Sequence, residues 1–168
     1  MRHVISILVE NQFGVLARIA GLFSARAYNI ESLAVGHTED PAVSRITIYV
    51  HGDNAIVEQI TKQLNRLVDV IKVTDYRDSK IIERELALIK VNSDPAKRLE
   101  ILQITDVFSA KAVDMSAKVV TLEISGSSDK VSNYIEMMRP YGIIEVVRGG
   151  AIATGRDSRR RPNPAVVA

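Results

Sequence analysis

One order of strand and helix signals runs twice along this chain, and that duplication constrains the fold more than any other feature. In residues 4–9, Ile5, Ile7 and Val9 alternate with Val4, Ser6 and Leu8, a strand apolar on nearly both faces. Leu16, Ile19, Ala20, Phe23 and Ala27 follow at helical spacing. Residues 30–36 and 43–50 read as strands, the latter rich in β-branched side chains, joined by a hairpin loop at 37–41. Asp53 is placed to cap a helix whose apolar face is Ile56, Ile60, Leu64 and Leu67. Residues 70–76 make a fourth strand.

The order then recurs. Residues 85–91 read as a strand, and Asp94-Pro95 as a helix start of the kind proline favours. Ile101, Ile104 and Phe108 form a helical stripe; residues 112–115 and 119–125 are strands. Val131, Tyr134, Ile135 and Met138 form a second stripe, and residues 143–147 close the unit. The letters agree as well. Phe23-Ser24-Ala25-Arg26-Ala27 reappears as Phe108-Ser109-Ala110-Lys111-Ala112, and His51-Gly52-Asp53 as Ser125-Gly126-Ser127. The second copy lacks roughly the length of the 37–41 hairpin, so the repeating unit is about 75 residues. The expected fold is therefore α+β, two ferredoxin-like βαββαβ units in tandem. The expected boundaries are 1–77 and 78–155, with the charged stretch 77–80 as linker and 156–168 as a disordered basic tail.

Composition narrows the chemistry. Cysteine and tryptophan are absent, which excludes disulfides and thiolate chemistry and leaves an aliphatic core. Of the net charge of +2, the tail holds Arg156, Arg159, Arg160 and Arg161 against Asp157, so the rest of the chain is close to neutral. No basic stripe of the kind nucleic acid requires crosses the fold. RNA-recognition domains share the βαββαβ order, but they stack bases on aromatics. Here the central strands carry Ile46, Ile48, Leu122 and Ile124, with only Tyr49 aromatic. The start passes directly into strand pattern without a secretory leader. No apolar run approaches the ~20 residues of a membrane helix. The reading is a cytoplasmic protein with neither nucleic acid nor membrane as partner.

Two stretches can hold a ligand. Asn11-Gln12-Phe13-Gly14-Val15-Leu16 joins the first strand to the first helix. A helix start offers unpaired N–H groups and partial positive charge, a seat for a carboxylate. Gly14 permits close approach, and Asn11 offers a donor and an acceptor. Asn29-Ile30 closes the first helix, where asparagine tolerates the left-handed backbone. Taken alone, both stretches also read as ordinary turns. His3, His37 and His51 lack ligand spacing and read as surface or strand-end groups. Glu10 and Glu31 flank strand ends without a triad or Schiff-base setting. No phosphate-binding glycine loop is present, and Gly149-Gly150 reads as a strand bulge. The chain is thus expected to hold no metal and no catalytic residue.

The residues also resemble a known family. The run Asn11, Gly14-Val15-Leu16, Arg18, Gly21-Leu22-Phe23-Ser24, Arg26 and Tyr28-Asn29-Ile30-Glu31-Ser32-Leu33 is similar to the N-terminal ACT domain of acetolactate synthase (acetohydroxyacid synthase) small subunits. Asp40-Pro41, Ser44-Arg45, Lys62-Gln63-Leu64, Leu67-Val68-Asp69-Val70 and Glu83-Arg84-Glu85-Leu86 extend the resemblance, which covers about residues 2–155. It implies a regulatory subunit in valine, leucine and isoleucine synthesis. Such a subunit binds and activates a separate catalytic (large) subunit, which carries thiamine diphosphate and magnesium, and confers feedback inhibition by valine. It implies a homodimer through ACT domains. Asn11, Gly14, Val15 and Leu16 of one copy and Asn29 and Ile30 of the other would line the effector site, with no cofactor in this chain. The alternative is a free-standing ACT amino-acid sensor acting on another enzyme or regulator.

Against Asn11-Gln12-Phe13-Gly14 the second unit sets Asn92-Ser93-Asp94-Pro95, with no glycine and one N–H fewer. The spacing of the phenylalanine blocks sets Asp114 against Asn29, a charge that opposes a carboxylate. The second unit is expected to lack the effector site and to serve dimer packing and contact with the catalytic subunit.

Overall fold

The computed structural model describes residues 1–77 and 79–156. Arg156 apart, the expected tail lies outside the described residues, as does Asp78 of the expected linker. The described residues form two compact units. One comprises Met1–Glu31, Val35–Ile82 and the stretch from Ala153; the other comprises Ser32–Ala34 and Glu83–Ile152.

The first unit runs β1 (Arg2–Glu10), α1 (Val15–Ser24), β2 (Ile30–His37), β3 (Val43–His51), α2 (Asn54–Leu64) and β4 (Val70–Asp75). Its sheet has the order β2-β3-β1-β4, so β2 is an edge. Ile5 faces Ile48 and Ile7 faces Ile46 across the β1–β3 pair. The helices bury Val15, Ile19 and Phe23, and Val57, Ile60 and Leu64, the stripes that a period of 3.6 produces. As the sequence suggests, β1 is buried on both faces. On the face bearing Val4 and Ser6, Arg2 lies 4.1 Å over the ring of the buried Tyr49, and Ser6 Oγ accepts from Arg45 at 2.9 Å.

The second unit repeats the plan with β5 (Ile81–Asn92), α3 (Pro95–Val107), β6 (Lys111–Met115), β7 (Val119–Gly126), α4 (Ser128–Met138) and β8 (Ile143–Arg148). Its sheet is ordered β6-β7-β5-β8, and a short further strand, β9 (Ile152–Gly155), pairs with β5. Strict alternation along β5 buries Ala87, Ile89 and Val91 and exposes Leu86 and Leu88. The buried set packs with Ile101, Val131, Tyr134 and Met138. Within that core the Tyr134 and Thr105 hydroxyls lie 2.8 Å apart, and Thr105 Oγ1 donates to Ile101 O at 2.7 Å.

The repeat is real, but its letters mislead in one place. Helix α1 stops at Ser24, short of the expected Ala27, and Ala27 itself takes the left-handed turn with φ 55. Tyr28 N then donates to Phe23 O at 3.0 Å. The same closure ends α3: Ser109 has φ 52, and Ala110 N donates to Thr105 O at 2.9 Å. Phe23 therefore corresponds to Thr105 and not to Phe108. Phe23 fills the core from within its helix, whereas Phe108 is the residue that caps α3. By this register Lys111, not Asp114, stands at the place of Asn29. The later block keeps its register. Asp53 and Ser127 both cap through their side chains, accepting from Ile56 N and Lys130 N. Val57, Ile60 and Leu64 correspond to Val131, Tyr134 and Met138. Gly149-Gly150 separate β8 from β9, two strands that both pair with β5, and Gly149 N donates to Leu86 O at 2.8 Å; register shifts fall at Leu8/Val9, Lys90/Val91 and Ala112/Asp114 in the neighbouring pairs.

Candidate functional site

At the end of β1 the chain is tied to both neighbouring strands. Glu10 N donates to Asp69 O at 2.9 Å, and Asn11 N to Ala42 O at 2.7 Å. The Asn11 side chain donates from Nδ2 to Pro41 O at 2.9 Å. That bond spends one donor on the hairpin and fixes the amide plane. Oδ1 is left as an acceptor suited to an ammonium group.

Gly14 caps α1 with φ 81, a left-handed conformation open to glycine, and no side chain caps the helix. The first regular bond of the helix is Arg18 N to Gly14 O at 2.9 Å. The N–H groups of Leu16 and Ala17 precede it and point out of the helix start, together with the positive end of its dipole. Leu16 and Phe13 are exposed beside them, the latter fully so. Val15, by contrast, has its side chain in the core at 4% exposure, so only its backbone is available to a ligand.

Asn29 and Ile30 sit at the other end of α1. Asn29 is not the left-handed residue that ends the helix; Ala27 is, and Asn29 stands exposed just before β2. The start of β2 is held in several ways. Glu31 accepts from Arg2 Nε at 3.0 Å and lies 2.7 Å from His51 Nε2. Tyr28 donates its hydroxyl to Gln59 at 3.1 Å and meets Phe23 edge-on. Ten residues of helix, about 15 Å at 1.5 Å per residue, separate the two stretches. One copy therefore does not bring Asn11 and Asn29 together.

Of the other candidates, His3 is buried at the start of β1 with Nε2 3.2 Å from Gly52 O, and His51 belongs to the Glu31 contact. Among the described residues no three His, Asp or Glu side chains gather as a metal group would need. Also among them, no helix is long and apolar enough to cross a membrane.

Three side chains missed in the sequence matter here. Arg18 Nη2 pairs with Asp69 Oδ2 at 2.9 Å beside Gly14. In the second unit, the register that pairs Phe23 with Thr105, and Asn11 N on Ala42 O with Ser93 N on Lys118 O, puts Glu100 at the place of Arg18; two residues earlier stands a different cation, Arg98. Its guanidinium goes elsewhere. Nη2 donates to Ser93 O at 3.2 Å, Ser116 O at 3.1 Å and Ala117 O at 2.7 Å, and Nε donates to Ser93 Oγ at 3.1 Å. Nothing in the spacing of the letters signals these roles.

Comparison with known proteins bears on both units. Residues 5–72 match the model of the AHAS small subunit-like ACT domain, and residues 84–157 match that of the small subunit of acetolactate synthase. The acetolactate synthase small subunit of Bacillus subtilis is 49% identical over 96% of this chain and 94% of its own. That of Aquifex aeolicus is 46% identical over 93% of this chain and 82% of its own. The crystal structure of the acetolactate synthase small subunit from Thermotoga maritima superposes with a TM-score of 0.86 at 39% identity, covering 94% of this chain and 98% of that one. With both units matched and relatives near half identity along nearly the whole length, the chain belongs to the acetolactate synthase small subunit family.

Proposed function

We propose that this chain binds the catalytic subunit of acetolactate synthase in the cytoplasm, raises its activity, and makes it sensitive to valine. The observation that carries the reading is the open start of α1. Gly14 caps it without a side chain, and Asn11 beside it has its amide fixed and its oxygen free. The α-carboxylate of valine would take the exposed N–H groups of Leu16 and Ala17, and its ammonium the oxygen of Asn11. Asn29 and Ile30 from the edge strand of a second copy would complete the pocket, with Leu16 and Ile30 against the isopropyl group. One extra or missing methylene in such a pocket changes binding by about 1–3 kcal/mol. Leucine and isoleucine should therefore compete with valine. Thiamine diphosphate and magnesium would belong to the catalytic subunit, leaving this chain without a cofactor or a catalytic residue of its own. The second unit would serve dimer packing and contact with the catalytic subunit.

Valine can regulate only by binding one state of the assembly more tightly than another. In this reading it stabilises an arrangement of paired ACT domains that no longer supports the active catalytic subunit. The test has two arms. Acetolactate formation by the matching catalytic subunit should rise when this chain is added and fall again with valine; no rise would sink the activating role. Calorimetric titration of valine should weaken at least about tenfold with Asn29→Ala, the 1.4 kcal/mol of one charge-assisted hydrogen bond. Unchanged affinity would sink the site.

A further inference from the structure

The stretch that would complete the pocket from a second copy is anchored at both of its ends. Asn29 precedes β2 and Ile30 opens it, and β2 is an edge strand. An edge strand is paired on one side only, and the first residues of such a strand are those that fray most easily. Two flanking residues remove that freedom. Tyr28 lies edge-on to Phe23 and donates to Gln59 of α2 at 3.1 Å. Glu31 uses both oxygens of its carboxylate: Oε1 receives Arg2 Nε at 3.0 Å, and Oε2 lies 2.7 Å from His51 Nε2. Between these anchors Asn29 is exposed and Ile30 half-buried.

The grip on Glu31 also decides which way Ile30 faces. Arg2 and His51 stand opposite each other in the β1–β3 pair, and Val4 and Tyr49 stand opposite each other two residues along, so all four share one face of the sheet. Arg2 crosses the Tyr49 ring at 4.1 Å on its way to Glu31. A carboxylate drawn to that face commits Ile30 to the other, which bears Ile5, Ile7, Ile46 and Ile48. The second unit supplies a contrast. Glu31 stands four residues beyond the left-handed Ala27, and Val113 stands four beyond the left-handed Ser109. Val113 is exposed and falls where β6 shifts its register against β7. Its side chain is aliphatic, so β6 begins without a carboxylate grip.

We infer that Glu31 is a positioning residue for effector binding: held by Arg2 and His51, it fixes the facing and the backbone of Asn29 and Ile30, the half-site that one copy presents to the other. The inference rests on the valine reading for its function, while the grip itself lies within a single chain. The side chains involved are 30% to 61% exposed, and exposed ion pairs add little to overall stability. Loss of Glu31 therefore leaves the fold standing and acts on the start of β2. If Asn29 and Ile30 then hold the competent arrangement about one-tenth of the time, apparent affinity falls about tenfold.

The experiment uses the full-length chain with Glu31→Ala and with Glu31→Gln. Valine calorimetry should show a loss of about tenfold for Glu31→Ala and a smaller loss for Glu31→Gln, which keeps an acceptor for Arg2. Wild-type affinity in Glu31→Ala would overturn the inference. Mixed dimers separate positioning from general damage. Glu31→Ala paired with Asn11→Ala should regain one tight pocket, because each chain supplies the half that the other lacks. Glu31→Ala paired with Asn29→Ala should regain none, because both changes strike the same half-site. Asn11→Ala paired with Asn29→Ala is the control for a pocket shared by two copies. Where that control recovers, failure of the first mixture or recovery of the second overturns the inference. Crystal structures of the wild type and Glu31→Ala supply an arm independent of valine. Asn29 and Ile30 displaced or disordered in the variant support the proposal, and an unchanged start of β2 overturns it. If the wild-type chain takes up no valine, the sensing reading fails, and this structural arm alone decides whether Glu31 positions the half-site.

Discussion

Residue by residue, most of the candidate site rests on backbone geometry. Gly14 is the clearest case. A Cβ there would meet open space, its nearest neighbour being Arg18 Nη1 at 4.0 Å, so the cost of Gly14→Ala is conformational. Holding an L side chain at φ 81 should lower stability by about 1–2 kcal/mol, read as a lower melting temperature, and should weaken valine binding as the helix start relaxes. Equal melting temperatures would show that the turn rearranges freely. A second residue-scale expectation concerns Tyr134. Burial pushes its hydroxyl above the ordinary value of 10.0, against the opposing bond from Thr105. The folded state thus keeps its proton longer than the unfolded chain does. Stability from this source is complete below the unfolded value and falls as pH rises from there through the folded value. Denaturant melts above pH 10 should be steeper in pH for the wild type than for Tyr134→Phe; parallel curves would refute the assignment. Here the sequence was a partial guide. Asn11 and Gly14 are visible as a strand-to-helix turn, but asparagine and glycine are common there, so the letters alone do not separate a ligand seat from a plain turn. The pairing of Arg18 with Asp69 is invisible, because nothing in the spacing says which side an arginine will turn.

Among the elements, the helix caps and strand alternations could be read from the letters. The left-handed helix ends could not. Asp53 and Ser127 are short polar residues placed just before amphipathic stripes, and both accept a backbone N–H three residues on. Asp53→Ala and Ser127→Ala should each cost about 1 kcal/mol in chemical denaturation, with unchanged dependence on denaturant concentration. A loss in neither variant would mean that water replaces the caps without penalty. At the C-terminal ends of α1 and α3, alanine and serine occupy the positive-φ positions in place of the glycine or asparagine that sequence patterns anticipate. That is why Asn29 looked like a helix terminator, and why the phenylalanine blocks suggested a register three residues from the true one. Tertiary packing of Phe23 and Thr105 overrides the local preference at both ends. The resulting place of Lys111 opposite Asn29 removes the charge argument drawn from Asp114. What still separates the two helix starts is Pro95 at that of α3, which removes an N–H, against Gly14 at that of α1.

For the whole molecule, the length of α1 limits which side chains one copy can bring to a single pocket. Asn11 and Asn29 stand at opposite ends of a ten-residue helix, so a pocket that uses both must draw on two copies. A symmetric dimer would hold two such pockets, each with one Asn11 and one Asn29 from different chains. Mixing chains that carry Asn11→Ala with chains that carry Asn29→Ala should therefore restore binding. In the mixed dimer one pocket contains both changes and the other contains neither, giving one valine per dimer by calorimetry where either variant alone binds weakly. No recovery on mixing would place the site within a single copy. The duplicated βαββαβ order was legible at this scale because it depends only on the sequence of periodicities, which survives local slips in register.

The contacts of Arg98 have a consequence for how firmly the start of α3 is anchored. Its guanidinium bonds Ser93 O, Ser116 O and Ala117 O, so one side chain ties that helix start to the turn between β6 and β7. Shortening it loosens both elements at once. In the first unit the tie to the matching turn runs from Asn11 Nδ2 to Pro41 O, which belongs to the strand end and leaves the start of α1 uncommitted.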